Sequence, residues 1–285
     1  MSETNKNIAV CLGSFDGLHL GHKAVISSVK NYTPLLLAFE PHPVEYFTNK
    51  KPPVILQEEL KKEMLGDMGA EIIKLNFKEI CSMSAEEFFE KIIVGAYNPK
   101  AVSCGYNYRF GKNAAGDTNT LKSLCDNHNI PLYVAEKTCY KNDAVSSTRI
   151  RKAISEGDIV SANKMLGYDF TFRTEVVYGN RNGSKILGFP TANQVLPESF
   201  AVPKFGAYKS DALIDGRWLP SVTNIGIRPT VGGDKLFSET HIIDFDGNLY
   251  GKNLQVKLTD FIRPERKFNS FEELKEQIKE DCKQR

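Results

Sequence analysis

The spacing of apolar residues changes near residue 170, and this change is the sequence feature that most constrains the fold. Before it, short apolar segments typical of strands alternate with segments whose apolar residues recur at helical spacing. Such alternation is typical of βα units around a parallel sheet. After it, apolar residues recur at every second position in short segments, which Gly, Pro, Asn and Asp separate. The second pattern predicts a small antiparallel barrel.

Both patterns are specific enough to predict individual elements. The expected strands of the first half are residues 8–12, 34–39, 72–75, 101–104 and 132–135, and its expected helices are residues 23–30, 58–68, 85–94, 118–128 and 149–156. The expected strands of the second half are residues 174–177, 207–214, 218–225, 239–245 and 254–261, with an amphipathic helix over 270–283. We place the boundary at residue 168, which gives domains of residues 1–168 and 169–285. Each domain is expected to have its own hydrophobic core and to fold by itself.

Composition and charge exclude several classes of protein. A length of 285 residues suggests two domains, and a net charge of +2 without a long basic run argues against a nucleic-acid partner. The six cysteines are irregularly spaced, with no C-x-x-C pair, which argues against zinc and against a disulfide framework. The first apolar stretch breaks at Gly13, so we expect no membrane span and a cytoplasmic location. The oligomeric state stays open, a homo-oligomer included.

A glycine-rich turn follows the first expected strand and reads G-S-F-D-G-L-H-L-G-H from Gly13 to His22. Glycines between a strand and a helix let backbone N–H groups and the helix N-terminus converge on an anion. His19 and His22, three residues apart, would face one side of the first helical turn. Preorganised donors of this kind suit the transfer of a charged phosphoryl group. For a lone H-x-G-H, a plain turn with one His as helix cap explains the residues equally well, but the number of matched positions favours the nucleotide site.

At these residues the sequence resembles the H-x-G-H nucleotidyltransferase superfamily, and the ten-residue form is similar to its FMN adenylyltransferase branch. Residues 39–43 (F-E-P-H-P), 105–111 and 146–151 (S-S-T-R-I-R) resemble further segments of that branch. The resemblance implies that His19 and His22 stabilise the transferring phosphoryl group as catalytic residues. It also implies an ATP site formed by Gly13, Phe15, Asp16, Gly17, His19, His22, Asn107, Ser147, Thr148 and Arg149.

A second polar stretch, residues 179–193, follows the first expected strand of the β-rich half. It does not fit a Walker A loop, but it offers glycines for close backbone approach and Lys185 for phosphate. The oxygen atoms of Thr191 and Asn193 suit Mg²⁺, and in β conformation the two side chains would face one side. The competing interpretation is a structural hairpin rich in Gly and Asn, with Pro190 at its edge.

The hexapeptide G-F-P-T-A-N at residues 188–193 resembles the hallmark of the riboflavin kinase family, and residues 224–230, 239–245 and 249–251 are similar to later segments of it. The resemblance implies that Thr191 and Asn193 hold Mg²⁺ and that Glu239 is the general base for the ribityl 5′-hydroxyl. It also implies an ATP and flavin site formed by Gly179, Gly183, Lys185, Gly188, Pro190, Thr191, Asn193, Asn224, Arg228 and Arg263. Residues 182–184 (N-G-S) replace an R-G-R often found in the family, a difference that bears on ATP affinity.

Together the resemblances cover nearly the whole chain and imply a bacterial-type bifunctional riboflavin kinase/FAD synthetase. Riboflavin and ATP would give FMN and ADP, and FMN and ATP would give FAD and pyrophosphate, with Mg²⁺ serving both reactions. The expected fold class is α/β, with an N-terminal Rossmann-like nucleotidyltransferase domain and a C-terminal six-stranded antiparallel β-barrel that carries a terminal helix.

Two rival functions fit part of the sequence. One is a sensor whose barrel binds a flavin or nucleotide without turnover, and the other is an adenylyl- or cytidylyltransferase for a different phosphate ester. A general base such as Glu239 beside a complete H-x-G-H argues against a pure binder, since binding alone needs no base.

Overall fold

The computed structural model describes residues 7–178, 190–230 and 233–285, and the chain divides into two compact units. The first unit takes in Met1–Pro52 and Glu58–Ser146. The second takes in Pro53–Gln57 and Ser147–Arg285. Across the described residues, no helix has the length and apolar character that a membrane span requires.

A five-stranded parallel sheet forms the centre of the first unit, in the order β3-β2-β1-β4-β5. Its strands are β1 (Ile8–Leu12), β2 (Thr33–Glu40), β3 (Glu71–Asn76), β4 (Ala101–Gly105) and β5 (Leu132–Ala135). Its helices are α1 (Leu20–Ser27), α2 (Pro43–Thr48), α3 (Glu58–Asp67), α4 (Phe77–Ile80), α5 (Ala85–Phe88) and α6 (Thr118–Asn127), and a hairpin of β6 (Cys139–Tyr140) and β7 (Asp143–Ala144) follows. The described part of the unit thus confirms the predicted parallel sheet.

The winding of the chain reverses at β1. From β1 the chain adds β2 and β3 on one side, and it then returns to add β4 and β5 on the other. In open parallel sheets, ligands bind beyond the carboxyl ends of the strands at the point where the winding reverses. The turn that follows β1 therefore lies at the position in this sheet where a ligand is expected.

Two local elements differ from those expected. The expected helix over 85–94 is α5 followed by a π-helical segment, Phe89–Tyr97. Helix α2 was not expected, yet Pro43 occupies its first turn and the His42 ring accepts a hydrogen bond from the Val44 N–H. Proline is favoured at that position because its fixed φ suits the helix and its missing N–H would have had no partner there.

The second unit is a closed barrel of six antiparallel strands in the order β10-β11-β12-β9-β8-β13. The strands are β8 (Phe170–Val177), β9 (Ala192–Val195), β10 (Gly206–Ile214), β11 (Arg217–Thr230), β12 (Gly233–Ile242) and β13 (Asn253–Pro264). The helices of the unit are α7 (Ser147–Glu156), α8 (Ile159–Leu166) and the terminal α9 (Phe271–Lys283). The predicted six-stranded barrel with a terminal helix is confirmed.

The second unit begins before the predicted boundary at residue 168, because α7 and α8 belong to it. Helix α8 contacts β8 and β13, and its Ile159 and Met165 are buried. The expectation that residues 169–285 own a complete core is therefore not met by the packing. Where the two activities divide along the chain stays a prediction.

A short segment from early in the sequence also completes the second unit. The Val54 N–H donates to the Ser199 carbonyl at 2.6 Å, and the Ala201 N–H donates to the Val54 carbonyl at 2.8 Å. The Gln57 side chain bonds both the N–H and the carbonyl of Arg173, at 2.6 and 3.0 Å. The barrel unit thus depends on residues 53–57 for backbone pairing, which no spacing pattern in the sequence indicated.

Candidate active sites

The glycine-rich turn positions two stacked histidine rings at the carboxyl end of β1. His19 is the N-cap of α1, and its Nδ1 accepts a hydrogen bond from the His22 N–H at 3.3 Å. The ring centroids of His19 and His22 lie 3.7 Å apart with an interplanar angle of 14°. His19 therefore caps the helix and also lies on the same side of the first helical turn as His22. The helix-cap interpretation and the nucleotide-site interpretation of the motif are compatible.

The residues before the histidines supply the backbone path. Phe15 has a φ of 48° and is completely buried, and its ring lies so close to Gly13 that a Cβ there would approach it to 3.2 Å. Gly17 has a φ of 74°, a conformation that glycine adopts without strain. These positions turn the chain sharply enough for α1 to begin at the sheet edge, with Asp16 partly exposed on the turn.

Burial keeps both imidazoles neutral. It lowers the pKa of His19 to about 4, partly opposed by a backbone hydrogen bond. Burial, followed by the nearby His19 and then Lys61, holds the pKa of His22 well below its usual value. Since Nδ1 of His19 accepts a hydrogen bond, its neutral ring carries the proton on Nε2. The site therefore presents a neutral N–H donor whose tautomer is fixed by the helix cap.

Two further predicted segments lie at the same edge of the sheet. Residues 41–43 follow β2 and Asn107 follows β4, and all three strands are parallel neighbours. Asn107 is exposed, and α2, whose first residue is Pro43, carries Phe47 with 71% of its surface exposed. The parallel sheet thus brings the glycine-rich turn with its two histidines, the 41–43 loop and Asn107 to one edge.

The third predicted segment belongs to the other unit. Ser147, Thr148 and Arg149 form the first turn of α7, as the Ser/Thr start signal indicated, and Thr148 is exposed. Their assignment to the ATP phosphates stays a prediction.

The predicted kinase residues meet through strand register. Asn224 on β11 is opposite Glu239 on β12, and Glu239 is opposite Asn193 on β9. In antiparallel strands, side chains directly opposite one another project to the same face. Three residues far apart in the sequence therefore form one row across three strands, and we name it the kinase row. Glu239 lies inside β12 rather than at the start of a strand, which corrects our sequence interpretation.

Polar groups of the kinase row have distinct surroundings. The Arg228 guanidinium forms an ion pair with Glu239, and both side chains are about one-third exposed. The Asn193 amide donates to the Thr191 carbonyl at 3.2 Å, while its Oδ1 is buried without a partner among the described residues. A buried oxygen without a donor is costly unless a ligand or ion completes it.

Arg263 lies on β13, and its assignment to the ATP and flavin site stays a prediction. Its guanidinium forms a bidentate ion pair with Asp281 of α9, with Nε–Oδ1 and Nη2–Oδ2 distances of 3.0 and 2.7 Å. Asp281 is 1% exposed, so the pair holds the terminal helix on the barrel. Four predicted residues, Gly179, Gly183, Lys185 and Gly188, lie outside the described residues.

Sequence reasoning missed two features. Lys61 of α3, whose side chain is 12% exposed, helps to lower the pKa of His22. It belongs to none of the motifs recognised in the sequence. Buried hydroxyls on the barrel strands were also missed, although a signal existed: Ser or Thr recurs at alternate positions of β11 and β12, where the pattern leads one to expect apolar residues. The buried serine and threonine residues of the barrel strands are Thr171 of β8, Ser210 of β10, Ser221 and Thr223 of β11, and Ser238 and Thr240 of β12.

A parallel sheet with a histidine turn at its switch point, followed by a closed six-stranded barrel, defines a two-unit enzyme of the nucleotidyltransferase and kinase type. Two family models match the chain: FAD synthetase over residues 1–149 and riboflavin kinase over residues 166–285. A relative from Listeria monocytogenes, a bifunctional riboflavin kinase/FMN adenylyltransferase, is 33% identical over 98% of this chain and 91% of its own. Its Escherichia coli (strain K12) counterpart is 32% identical over 95% and 89%.

A solved structure from Streptococcus pneumoniae, described as a macrolide-efflux protein, matches with a TM-score of 0.89 and 30% identity, over 98% of this chain and 94% of that one. The chain belongs to the bifunctional riboflavin kinase/FMN adenylyltransferase family. This membership confirms the predicted enzyme class and its two activities.

Proposed function

We propose that FMN is adenylylated at the carboxyl edge of the parallel sheet, with His19 and His22 as donors to the transferred group. The observation that carries this is the fixed tautomer of His19, which directs an Nε2–H away from the helix cap. The FMN phosphate oxygen attacks the α-phosphorus of ATP, the α–β bridging bond breaks, and pyrophosphate leaves. Neutral donors that are already oriented stabilise charge on the α-phosphoryl oxygens without reorganisation.

The remaining groups at this edge suit the two substrates. Asn107 offers an exposed amide, and the glycine turn at Gly13 and Gly17 lets backbone approach phosphate closely. Tyr46 and Phe47 on α2 are exposed aromatic rings next to the 41–43 loop. Exposed aromatic surface is suited to a planar ring such as that of FMN.

For the kinase reaction, the proposal places Glu239 as the base. It accepts the proton of the ribityl 5′-hydroxyl as that oxygen attacks the γ-phosphorus, and ADP leaves with the electrons of the broken bond. The Arg228 guanidinium stabilises the carboxylate anion, which is the form that can accept a proton. Asn224, in the same row, can orient the hydroxyl or a phosphate oxygen.

Asn193 and Thr191 fit Mg²⁺, because the buried Oδ1 of Asn193 lacks a partner among the described residues and Mg²⁺ prefers oxygen ligands. When bound, the ion would neutralise phosphate charge. Asn193 would hold it from β9, the strand next to Glu239, and Thr191 from the residue just before that strand.

One assay tests both assignments. Purified protein with riboflavin, ATP and Mg²⁺ should yield FMN and then FAD by chromatography, and EDTA should stop both until Mg²⁺ is restored. Product from another phosphate ester but none from riboflavin would favour the rival transferase, and ligand binding without any product would favour the sensor.

We also propose a cytoplasmic location. All six cysteines are free in the structure, and free thiols persist in a reducing compartment. Thiol titration in denaturant, on protein purified under argon, should count six.

A further inference from the structure

The first turns of α1 and α3 lie on one face of the parallel sheet, at the edge where the strands end. β1, β2 and β3 are parallel neighbours, and the chain crosses between them through α1 and then through α2 and α3. Right-handed crossovers in one direction place the helices on one face, and each helix runs back from the carboxyl ends of the strands. His22 is the third residue of α1, and Lys61 is the fourth residue of α3. The fold therefore brings a lysine to the histidine pair.

The Lys61 ammonium is largely withdrawn from water, and its donors are unused among the described residues. Its side chain is 12% exposed, and its Nζ lies 3.8 Å from the Glu58 Oε2, which is beyond hydrogen-bond distance. The same Oε2 lies 3.3 Å from the Nζ of Lys74, so the two lysines share one carboxylate. The Nδ1 of His22 is buried without a partner among the described residues. An ammonium has three N–H donors, and leaving them unused in a largely buried place is costly unless an anion accepts them.

The reaction proposed for this edge requires positive charge that the histidines do not supply. Burial keeps both imidazoles neutral, so they contribute N–H dipoles without net charge. The FMN phosphate and ATP are both anions, and negative charge gathers on the α-phosphoryl oxygens as the attacking oxygen approaches phosphorus. A cation beside the histidines stabilises that charge. The same cation helps to hold the pKa of His22 low, so His22 stays a neutral group.

We propose that Lys61 is a further catalytic residue of the adenylyltransferase, and that its ammonium donates to a non-bridging oxygen of the α-phosphoryl group during transfer. The inference rests on the proposed function of the histidine edge. A bond forms between the FMN phosphate oxygen and the α-phosphorus, and the α–β bridging bond breaks. Pyrophosphate leaves with that electron pair, and Lys61 keeps its protons throughout. Lys61 thus supplies charge, while His19 and His22 supply oriented neutral groups.

The test uses full-length protein with saturating FMN, ATP and Mg²⁺. With Lys61→Gln, the kcat for FAD formation should fall about 10²- to 10³-fold, the usual effect of removing one preorganised group that stabilises transition-state charge. Lys61→Arg keeps a cation at this position and should recover most of the lost rate. Riboflavin phosphorylation should be unchanged in both variants. A kcat for Lys61→Gln close to that of the wild type would overturn the proposal.

Lys74→Gln is the matched control. It removes the same charge from the same carboxylate, Glu58, but Lys74 lies on β3 and its side chain is 38% exposed. FAD formation by this variant should stay near wild type. If Lys61→Gln and Lys74→Gln lower the rate equally, the loss comes from the unpaired Glu58 carboxylate, and the proposal fails.

Sulfur substitution on ATP locates the contact. In single turnovers with the two diastereomers of ATPαS, one should react more slowly than ATP in the wild type, and this difference should shrink in Lys61→Gln because the two changes remove one interaction. It should also change in Lys61→Arg, which keeps the charge and so serves as the test if Lys61→Gln does not fold. Ratios identical to wild type in both variants, or a change confined to the KM for FMN, would place Lys61 away from the α-phosphoryl group.

The same assays separate this proposal from the function on which it rests. No FAD from the wild type would overturn the proposed adenylyltransferase site itself. Loss of FAD formation in His19→Ala, with the full rate in Lys61→Gln, would overturn only the role of Lys61.

Discussion

The two units build their sites in opposite ways. In the first unit, one continuous stretch from Gly13 to His22 contains the turn, the helix cap and both donors. In the second, the kinase row comes from β9, β11 and β12 and exists only because these strands pair in register. The first site is set by local sequence and the second by closure of a whole barrel. Damage to distant packing should therefore affect the kinase more than the adenylyltransferase.

The largest expected effect comes from removing residues outside 169–285 that belong to the barrel unit. A fragment of residues 169–285 loses seven large apolar side chains that are buried: Ile55, Leu56, Ile150, Ile154, Ile159, Met165 and Leu166. Burial of each is worth about 1.5–3 kcal/mol, so their sum rivals the usual total stability of about 5–15 kcal/mol. The fragment should show no cooperative thermal transition by circular dichroism and make no FMN, against our expectation from the sequence.

A matched fragment sharpens this test. Residues 147–285 restore α7 and α8 but not residues 53–57, so this fragment should regain part of the transition. Addition of a peptide spanning residues 53–57 in a longer flank should raise its Tm. Cooperative melting and FMN synthesis by residues 169–285 alone would show that the barrel closes without the borrowed residues.

Glu239→Gln should have the next largest effect and should act on the kinase alone. The amide keeps the shape of the side chain but cannot accept a proton, and a positioned base is typically worth about 10²–10⁴-fold in rate. FMN formation from riboflavin should fall by that factor, while FAD formation from FMN stays near wild type. Kinase turnover that survives the substitution would remove Glu239 from the role of base.

His19→Ala is the reciprocal variant. Loss of one preorganised donor typically lowers the rate about 10²- to 10³-fold, so FAD formation should fall by that factor with riboflavin phosphorylation nearly intact. If the two sites are independent, each variant loses one activity and keeps the other. A parallel loss of both activities in folded protein would mean that the sites are not independent.

The sequence was informative about each site to the extent that the site is local. His19 and His22 could be identified as a pair from spacing alone, but the neutral tautomer depends on the N-cap geometry of His19, which spacing does not specify. Asn193, Asn224 and Glu239 were found in separate motifs, and their common row follows from register between distant strands. The borrowed Pro53–Gln57 segment was missed because its pairing partners lie far away in the sequence.

Acidification should destabilise the folded protein, because His19 binds a proton less readily in the folded chain than in the unfolded one. Folding lowers the pKa of His19 from 6.5 to about 4, so between these values the unfolded chain binds more protons. The stabilising effect is complete above pH 6.5 and is lost as the pH falls toward 4. The urea midpoint should therefore decrease between pH 7 and 4.5. His19→Asn, which keeps a capping side chain but does not titrate, should show a shallower decrease. An identical slope in both proteins would contradict this origin.

The smallest expected effect contrasts one tyrosine from each unit. The Tyr108 ring packs with the core of the parallel sheet and stacks on Phe110, but its hydroxyl is buried without a partner among the described residues, and burial raises its pKa. The buried Tyr208 hydroxyl of the barrel instead donates to the Lys204 carbonyl. Tyr108→Phe removes an unsatisfied group and should stabilise the protein by up to about 1–3 kcal/mol, whereas Tyr208→Phe should destabilise it by about 0.5–1.5 kcal/mol. Chemical denaturation of both variants checks the opposite signs. If Tyr108→Phe also destabilises the protein, the Tyr108 hydroxyl does form a hydrogen bond in solution.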